Sequence, residues 1–357
     1  MKKVTALLVA VMLLLCGCAK YDKNGRVLTT GGTLYPNGGL VEAAGAAKQS
    51  PIPVILDVDG GADDVLAVIL AAKCEGLDVR GIAVTQGCVD LQTAGRNVLM
   101  ACAFANLDVP VALGAEKPME REAVTDPQHH GADGLAGMQL PPTERALSEL
   151  TAEELYCQVA DECSGRLQII TLGPLTNLGQ VLKSHPELIG KIERVVAGCG
   201  TLDGLPEFNA QNDPEALQMV MDSGVSLTFL VNNICDRSFV EFTPLRDDLI
   251  SRQGTSRYIL CAENRPKSRL SQLYMEIGKT EKGNRMYGYL VVDWVNNEQA
   301  AQPPEQMVVT VSLEEGEKGG QMQFDTALRA DEGYPVVLES TTLLWDKLEE
   351  LAECYNK

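Results

Sequence analysis

The sequence predicts an α/β fold, a single domain with a central, mostly parallel sheet flanked by helices. Short β-rich apolar runs alternate with helix-like segments along most of the chain. Those runs are apolar throughout instead of alternating with polar residues, as strands covered on both faces must be. No internal repeat and no break in composition divides residues 51–357, so one domain accounts for about 300 residues.

The chain opens with Met1-Lys2-Lys3 and a nearly unbroken apolar run from Val4 to Leu15. That run is too short to span a bilayer and suits a signal peptide. It ends in Leu15-Cys16-Gly17-Cys18, which resembles a bacterial lipoprotein box. The expectation is a signal peptide over 1–17, lipid on Cys18 and an extracytoplasmic, membrane-anchored protein; an ordinary signal peptide cut nearby is the alternative. Residues 18–50 carry glycine, asparagine, lysine and serine with little periodicity and read as a flexible tether.

Strands are expected at 53–58, 80–85, 109–113, 167–172, 195–197 and 226–231. Helical patterns fill 63–72, 91–104, 151–163, 176–184 and 214–223. Regular alternation of the two argues for a parallel sheet. Residues 245–330 read as a more irregular stretch of helices and late strands.

A net charge of −19 and the lack of a basic stripe exclude nucleic-acid polymers as partners. Small uncharged or cationic ligands and metal ions suit this surface better. Eleven cysteines are scattered without paired spacing, which argues against a disulfide framework or a zinc site. Most sit in apolar segments and pack as small hydrophobes.

The most informative stretch is Asp57-Val58-Asp59-Gly60-Gly61-Ala62-Asp63-Asp64. Asp57 and Asp59 close the first strand on one side of it, the glycines allow a tight turn, and Asp63 and Asp64 open the next helix. Ligands bind at the carboxyl ends of parallel strands. Four neighbouring carboxylates repel unless a cation or shared protons relieve them, and all-oxygen donors favour calcium or magnesium. Helix-dipole and capping roles account for two of the aspartates but not all four. A haloacid-dehalogenase-type phosphatase also begins with Asp-x-Asp, but Gly61 and the lack of a downstream lysine motif disfavour it. An EF-hand-like loop needs a glutamate at its twelfth position, which here is Val68.

Further segments extend the pattern. Leu172-Gly173-Pro174-Leu175-Thr176-Asn177 follows a strand, and Glu207-Phe208-Asn209 precedes Asp213-Pro214-Glu215-Ala216. Val292-Asp293 stands at the end of an apolar run, and His130-Gly131 precedes Asp133-Gly134-Leu135. With the acidic loop, and with Pro110 to Ala115 and Pro118, this ordered set resembles the inosine-uridine preferring nucleoside hydrolase family over about residues 52–300.

The resemblance implies a Rossmann-like fold and calcium-dependent cleavage of the N-glycosidic bond of ribonucleosides. The family holds one calcium ion at the pocket floor, with the attacking water and the ribose hydroxyls on it. Carried over, Asp59, Asp64, Asp293 and the backbone carbonyl of Leu172 hold Ca2+, and Asp59 takes the proton from the water. Asp63, Glu207 and Asn209 grip the sugar, His130 contacts the base, and Asp57 supports the floor from behind. The partners so implied are a small riboside and further copies of the chain in a homo-oligomer.

Three departures accompany the match. Cys88 follows Gly87 where the family has asparagine, Val292 stands in place of its histidine, and the 200–206 segment is short and lacks an asparagine. They motivate an alternative, a relative that binds calcium and a riboside without turnover. His185 reads as a surface or capping residue, while Tyr287 and Tyr289 either stack on a base or pack.

Overall fold

The computed structural model describes residues 50–235, 286–298, 303–329 and 332–338, with four short backbone pieces before residue 43. Cys18 and the segment expected to be a signal peptide lie outside the described residues, as do Cys261, Cys354 and residues 245–285. The chain divides into two units, 1–50 and 51–357.

The first unit contains two short antiparallel pairs, Lys20–Tyr21 with Val27–Leu28 and Gly32–Leu34 with Leu40–Glu42.

In the second unit the elements run β1 (Ile52–Val58), α1 (Ala62–Ala71), β2 (Leu77–Val84), α2 (Leu91–Ala105), β3 (Val111–Leu113) and the single-turn α3 (Pro127–His130). Then come α4 (Ala152–Glu162), β4 (Leu167–Thr171), α5 (Thr176–Ser184), β5 (Ile192–Gly198), the short α6 (Phe208–Asn212), α7 (Pro214–Asp222) and β6 (Leu227–Leu230). Last are α8 (Tyr287–Asn296), β7 (Glu305–Val311), β8 (Met322–Thr326) and β9 (Tyr334–Val337). These strands form one sheet in the order β8-β7-β9-β6-β5-β4-β1-β2-β3. The seven strands from β9 to β3 along that order are mutually parallel, and only β7 runs antiparallel to its neighbours β8 and β9. The mostly parallel α/β domain expected from the sequence is therefore the observed one.

The strands are apolar on both faces because both faces are covered. Val54, Leu56 and Val58 of β1 pack with α1, α2 and α8, whereas Ile55 packs with α4, α5 and α7 on the other side. Each fully buried aliphatic side chain of this kind contributes about 1.5–3 kcal/mol. Helix starts follow local chemistry. Asp90 accepts the Thr93 N–H at 3.0 Å to open α2, and Thr151 with Glu154 forms a reciprocal capping box that opens α4, worth about 1 kcal/mol.

Strand order, more than strand count, positions the site. Strand β1 lies between β2 and β4, so the chain leaves it first towards one edge of the sheet and later returns to build the other. Such a reversal opens a crevice at the carboxyl ends of the two central strands. Asp57 is paired in register with Thr171 of β4, so the acidic loop after β1 and the Leu172 loop after β4 meet at that crevice.

Helix α8 is the largest departure from expectation. Every residue from Tyr287 to Val295 is buried, so the segment shows no polar face and reads in sequence as a plain apolar run. Among the described residues no helix is long and apolar enough to cross a membrane. The seven cysteines described in this unit are all free, which agrees with the packing role expected for them.

Candidate active site

A cavity of about 900 Å³ opens at the switch between β1 and β4. Asp59, Asp63, Asp64, Cys88 and Leu172 line its floor side, and Glu207, Phe208, Asn209 and Tyr287 a wall. Its rim includes Val124, Thr125, Asp126, His129 and His130, with Thr201, Asp203 and Leu205 opposite. Among the described residues, no lysine or arginine lines it.

The acidic loop is held in shape by its own backbone. Asp64 Oδ2 accepts the N–H groups of Asp59 (2.8 Å) and Gly60 (3.1 Å), which folds the turn over the start of α1. Asp59 Oδ2 accepts the Cys88 N–H at 2.8 Å, and Oδ1 accepts the Cys88 thiol at 3.1 Å. The position before Cys88 must be glycine, because a Cβ on Gly87 would fall 2.1 Å from Asp59 Oδ2. Asn97 ties the turn from outside, donating to Gly60 O (3.0 Å) and Asp133 O (2.8 Å).

Burial sets the protonation of this floor. It pushes the Asp64 carboxyl well above the usual range, helped by the charges of Asp59 and Asp63. Cys88 is likewise pushed up, by burial and then by Asp59, so it remains a thiol that donates. Asp57 lies behind the floor, 1% exposed, where it accepts from Tyr156 Oη at 2.6 Å and Asn177 Nδ2 at 3.1 Å. Burial lifts it to about 7 despite those two hydrogen bonds.

The wall that carries Glu207 and Asn209 is equally committed. Glu207 caps α6, its Oε1 accepting Asn209 N–H (3.1 Å) and its Oε2 accepting Gly200 N–H (3.1 Å) and Ala210 N–H (3.3 Å). Burial raises its carboxyl to about 7, against those lowering bonds. Asn209 spends both amide hydrogens on Leu172 O (2.7 Å) and Gly198 O (2.9 Å). Only its Oδ1 is left to accept from a ligand. Leu172 O, with two lone pairs, keeps one for a second partner.

His130 Nδ1 accepts the Ala62 N–H at 3.4 Å. A nitrogen that accepts carries no proton, so its 3.9 Å approach to Asp63 Oδ1 is proximity and not an ion pair. Asp63 Oδ2 accepts the Gly288 N–H at 3.0 Å.

That last contact corrects the placement of Asp293. The end of α8 that faces the acidic loop is Gly288, where a Cβ would stand 3.0 Å from Asp64 Oδ1 and 3.2 Å from Leu172 Cδ1. Asp293 follows five residues later, about 7.5 Å along the axis and rotated by about 140°. It does not line the cavity, and its Oδ1 accepts from Asn297 Nδ2 at 2.8 Å. Spacing along the chain matched a motif, but the helical turn carries the carboxylate away from the floor. Val292 is fully buried.

The remaining donors fit a hard divalent cation, from one side. Asp59, Asp64 and the Leu172 carbonyl are all oxygen, and no cationic residue among the described lining groups neutralises them. Among the described residues no three histidine, cysteine or acidic side chains converge as a ligand set by themselves. A cation held on these groups would need further ligands to complete its shell.

The sequence does not announce the pairing of Asp126 with His129 or the place of Asn232 at the cavity. Asp126 and His129 form a pair at the rim, with His129 Nδ1 2.6 Å from Asp126 Oδ2. Asp-Pro at 126–127 is a helix-start signal that announces the turn but not its neighbours. Asn232 lines the cavity from the turn after β6, and its Oδ1 is buried without a hydrogen-bond partner. Tyr287 lines the cavity while its hydroxyl donates to Leu230 O, whereas Tyr289 is packed in the core. His185 caps α5 and contacts Glu153 and Glu187 on the surface.

Known proteins share both the fold and parts of the sequence. The chain is 37% identical over 193 residues to the pyrimidine-specific ribonucleoside hydrolase RihA of Escherichia coli O9:H4 (strain HS), covering 52% of this chain and 62% of that protein. RihA of Escherichia coli O139:H28 (strain E24377A / ETEC) is 39% identical over 180 residues, 49% of this chain and 58% of its own length. The chain thus aligns with about three fifths of these curated relatives. Its fold matches the purine-preferring ribonucleoside hydrolase from Gardnerella vaginalis with TM-score 0.69 and 20% identity, over 85% of this chain and 99% of that one. An inosine-guanosine nucleoside hydrolase gives TM-score 0.71 at 21% identity, covering 84% and 98%. The family described as inosine-uridine preferring nucleoside hydrolase matches residues 54–344, most of the chain, and this chain belongs to that family.

Proposed function

We propose that this protein hydrolyses the N-glycosidic bond of ribonucleosides to free base and ribose, and that it does so with Ca2+. The observation that carries the reading is the buried acidic floor at the β1–β4 switch, with no lysine or arginine among the described lining groups. Members of the family use a divalent metal, and the all-oxygen donors favour calcium among the candidates. Asp59, Asp64 and Leu172 O are the residues that would hold it. When bound, the cation supplies a Lewis acid that orients a water and the ribose hydroxyls.

The protein's own groups do the rest. Asp59 takes the proton of the attacking water. Asp63 accepts from one ribose hydroxyl, and Asn209 Oδ1 and the Glu207 carboxylate accept from the outer ones. As the glycosidic bond lengthens, the ring carbon gains positive charge, and the buried carboxylates stabilise that state over the neutral substrate.

A second reading, riboside binding without turnover, draws on Gly288, which faces the floor where a further carboxylate would complete a ligand set. One assay separates the two. The purified full chain is incubated with a panel of purine and pyrimidine ribosides, and reducing sugar is followed with calcium or with chelator. Hydrolysis that falls by about 100-fold or more in chelator and returns with Ca2+ supports the hydrolase. Binding of riboside with no sugar release at any calcium concentration sinks it and leaves the second reading.

We propose further that the protein works outside the cytoplasm on a lipid attached to Cys18. The motif Leu15-Cys16-Gly17-Cys18 motivates this. Metabolic labelling with a radioactive fatty acid is expected to mark the wild type and not Cys18→Ser; equal labelling of both would refute the assignment.

A further inference from the structure

Resting on the hydrolase reading, we infer that His129, held by Asp126, is the acid that protonates the departing base. The floor fixes which side of the sugar each group serves. Water attacks from the Asp59 side, so the bond that breaks points away from the floor, towards the rim of the cavity. His129 and Asp126 stand on that rim.

The pair is built for proton transfer. A carboxylate only accepts, so the 2.6 Å contact places a proton on His129 Nδ1 and leaves Nε2 as the nitrogen that gains and loses one. Asp126 also accepts the His129 backbone N–H at 3.2 Å, so one carboxylate positions both main chain and ring. The segment that carries them is anchored on several sides. Asp126 N–H donates to Cys88 O (2.9 Å), and Val124 O accepts from Gln86 Nε2 (2.8 Å) and Asn212 Nδ2 (3.0 Å). Farther back, Arg121 clasps Glu215 through its Nε (2.9 Å) and an Nη (2.8 Å). Val124 and Leu205, 57% and 66% exposed, offer apolar surface at the rim to a planar base.

The other candidates are turned elsewhere. His130 directs Nδ1 at the Ala62 N–H beside the floor, the Tyr287 hydroxyl donates to Leu230 O, and position 292 is a buried valine. The step balances. The C–N electron pair leaves with the base, which takes the proton from His129 Nε2. The water oxygen bonds to the ring carbon, and its proton goes to Asp59. Solvent then returns a proton to His129 and removes one from Asp59.

The test compares leaving groups. Uridine and inosine need a proton on the departing base, whereas 4-nitrophenyl β-D-ribofuranoside releases a stable anion. In the full chain, His129→Gln is expected to lower kcat/KM on the nucleosides by about 100-fold and on the nitrophenyl riboside by about threefold or less. Asp126→Asn should show the same pattern with a smaller loss on the nucleosides. Equal losses on both substrate types, or a His129→Gln nucleoside rate within about threefold of wild type, overturn the assignment while the hydrolase stands. A wild type that cleaves neither substrate type overturns the hydrolase reading and this inference with it.

Discussion

Asp59→Asn is expected to lower kcat for riboside hydrolysis by about 1000-fold while leaving the folded protein at least as stable as the wild type. The two effects have one cause. Asp59 is 6% exposed and shares the floor with Asp64, whose carboxyl its charge helps to hold well above the ordinary range. Removing that charge relieves repulsion in a buried site, and the asparagine oxygen can still accept the Cys88 N–H. The same change deletes the proposed base and half of the carboxylate set proposed for a cation. Thermal melts in chelator should therefore show an unchanged or raised Tm, and calorimetry should show weaker calcium binding. A variant within about tenfold of the wild-type kcat would mean that the proton goes elsewhere, and the role given to Asp59 would fall.

How each residue reaches the site decides whether it could be read from the sequence. Asp57, Asp59, Asp63 and Asp64 come from one strand-turn-helix unit, so local rules place them: two on one side of a strand, two in the first turn of a helix. Leu172 was legible only through the resemblance, because a backbone carbonyl that faces a ligand leaves no mark in the side chain above it. Asp293 was not, because α8 is buried all round and its sequence carries no phase. Without a phase, a residue six positions from the start of the helix is readily assigned to the wrong face, and this one was. The Asp126–His129 pair depends on a segment whose anchors, Gln86, Cys88 and Asn212, come from distant parts of the chain. Glu207 was legible as part of a motif, but its capping of α6 and its three backbone donors were not, since Gly200 sits in a loop with no periodicity.

Glu207 gives the second large effect, and it is one of pH. Burial raises its carboxyl to about 7 in the folded protein, from 4.5 in an exposed chain. The native state therefore keeps a proton that the unfolded state has released between those values. That contribution is fully present below about pH 4.5 and is lost as pH rises through about 7, on the order of 3 kcal/mol in all. Glu207→Gln removes the slope because glutamine does not titrate. It also costs stability at every pH, since its amide nitrogen must confront at least one of the N–H groups of Gly200, Asn209 or Ala210 that a carboxylate satisfies. Urea unfolding at pH 5 and pH 8, without calcium or riboside, should find the variant much weaker than wild type at pH 5 and closer to it at pH 8. The displaced wall should also lower kcat/KM by about tenfold or more, through the Asn209 that Glu207 positions. Stability curves that run parallel for the two proteins would show that the carboxylate is already ionised in the folded chain, held so by its three backbone donors against the cost of burial.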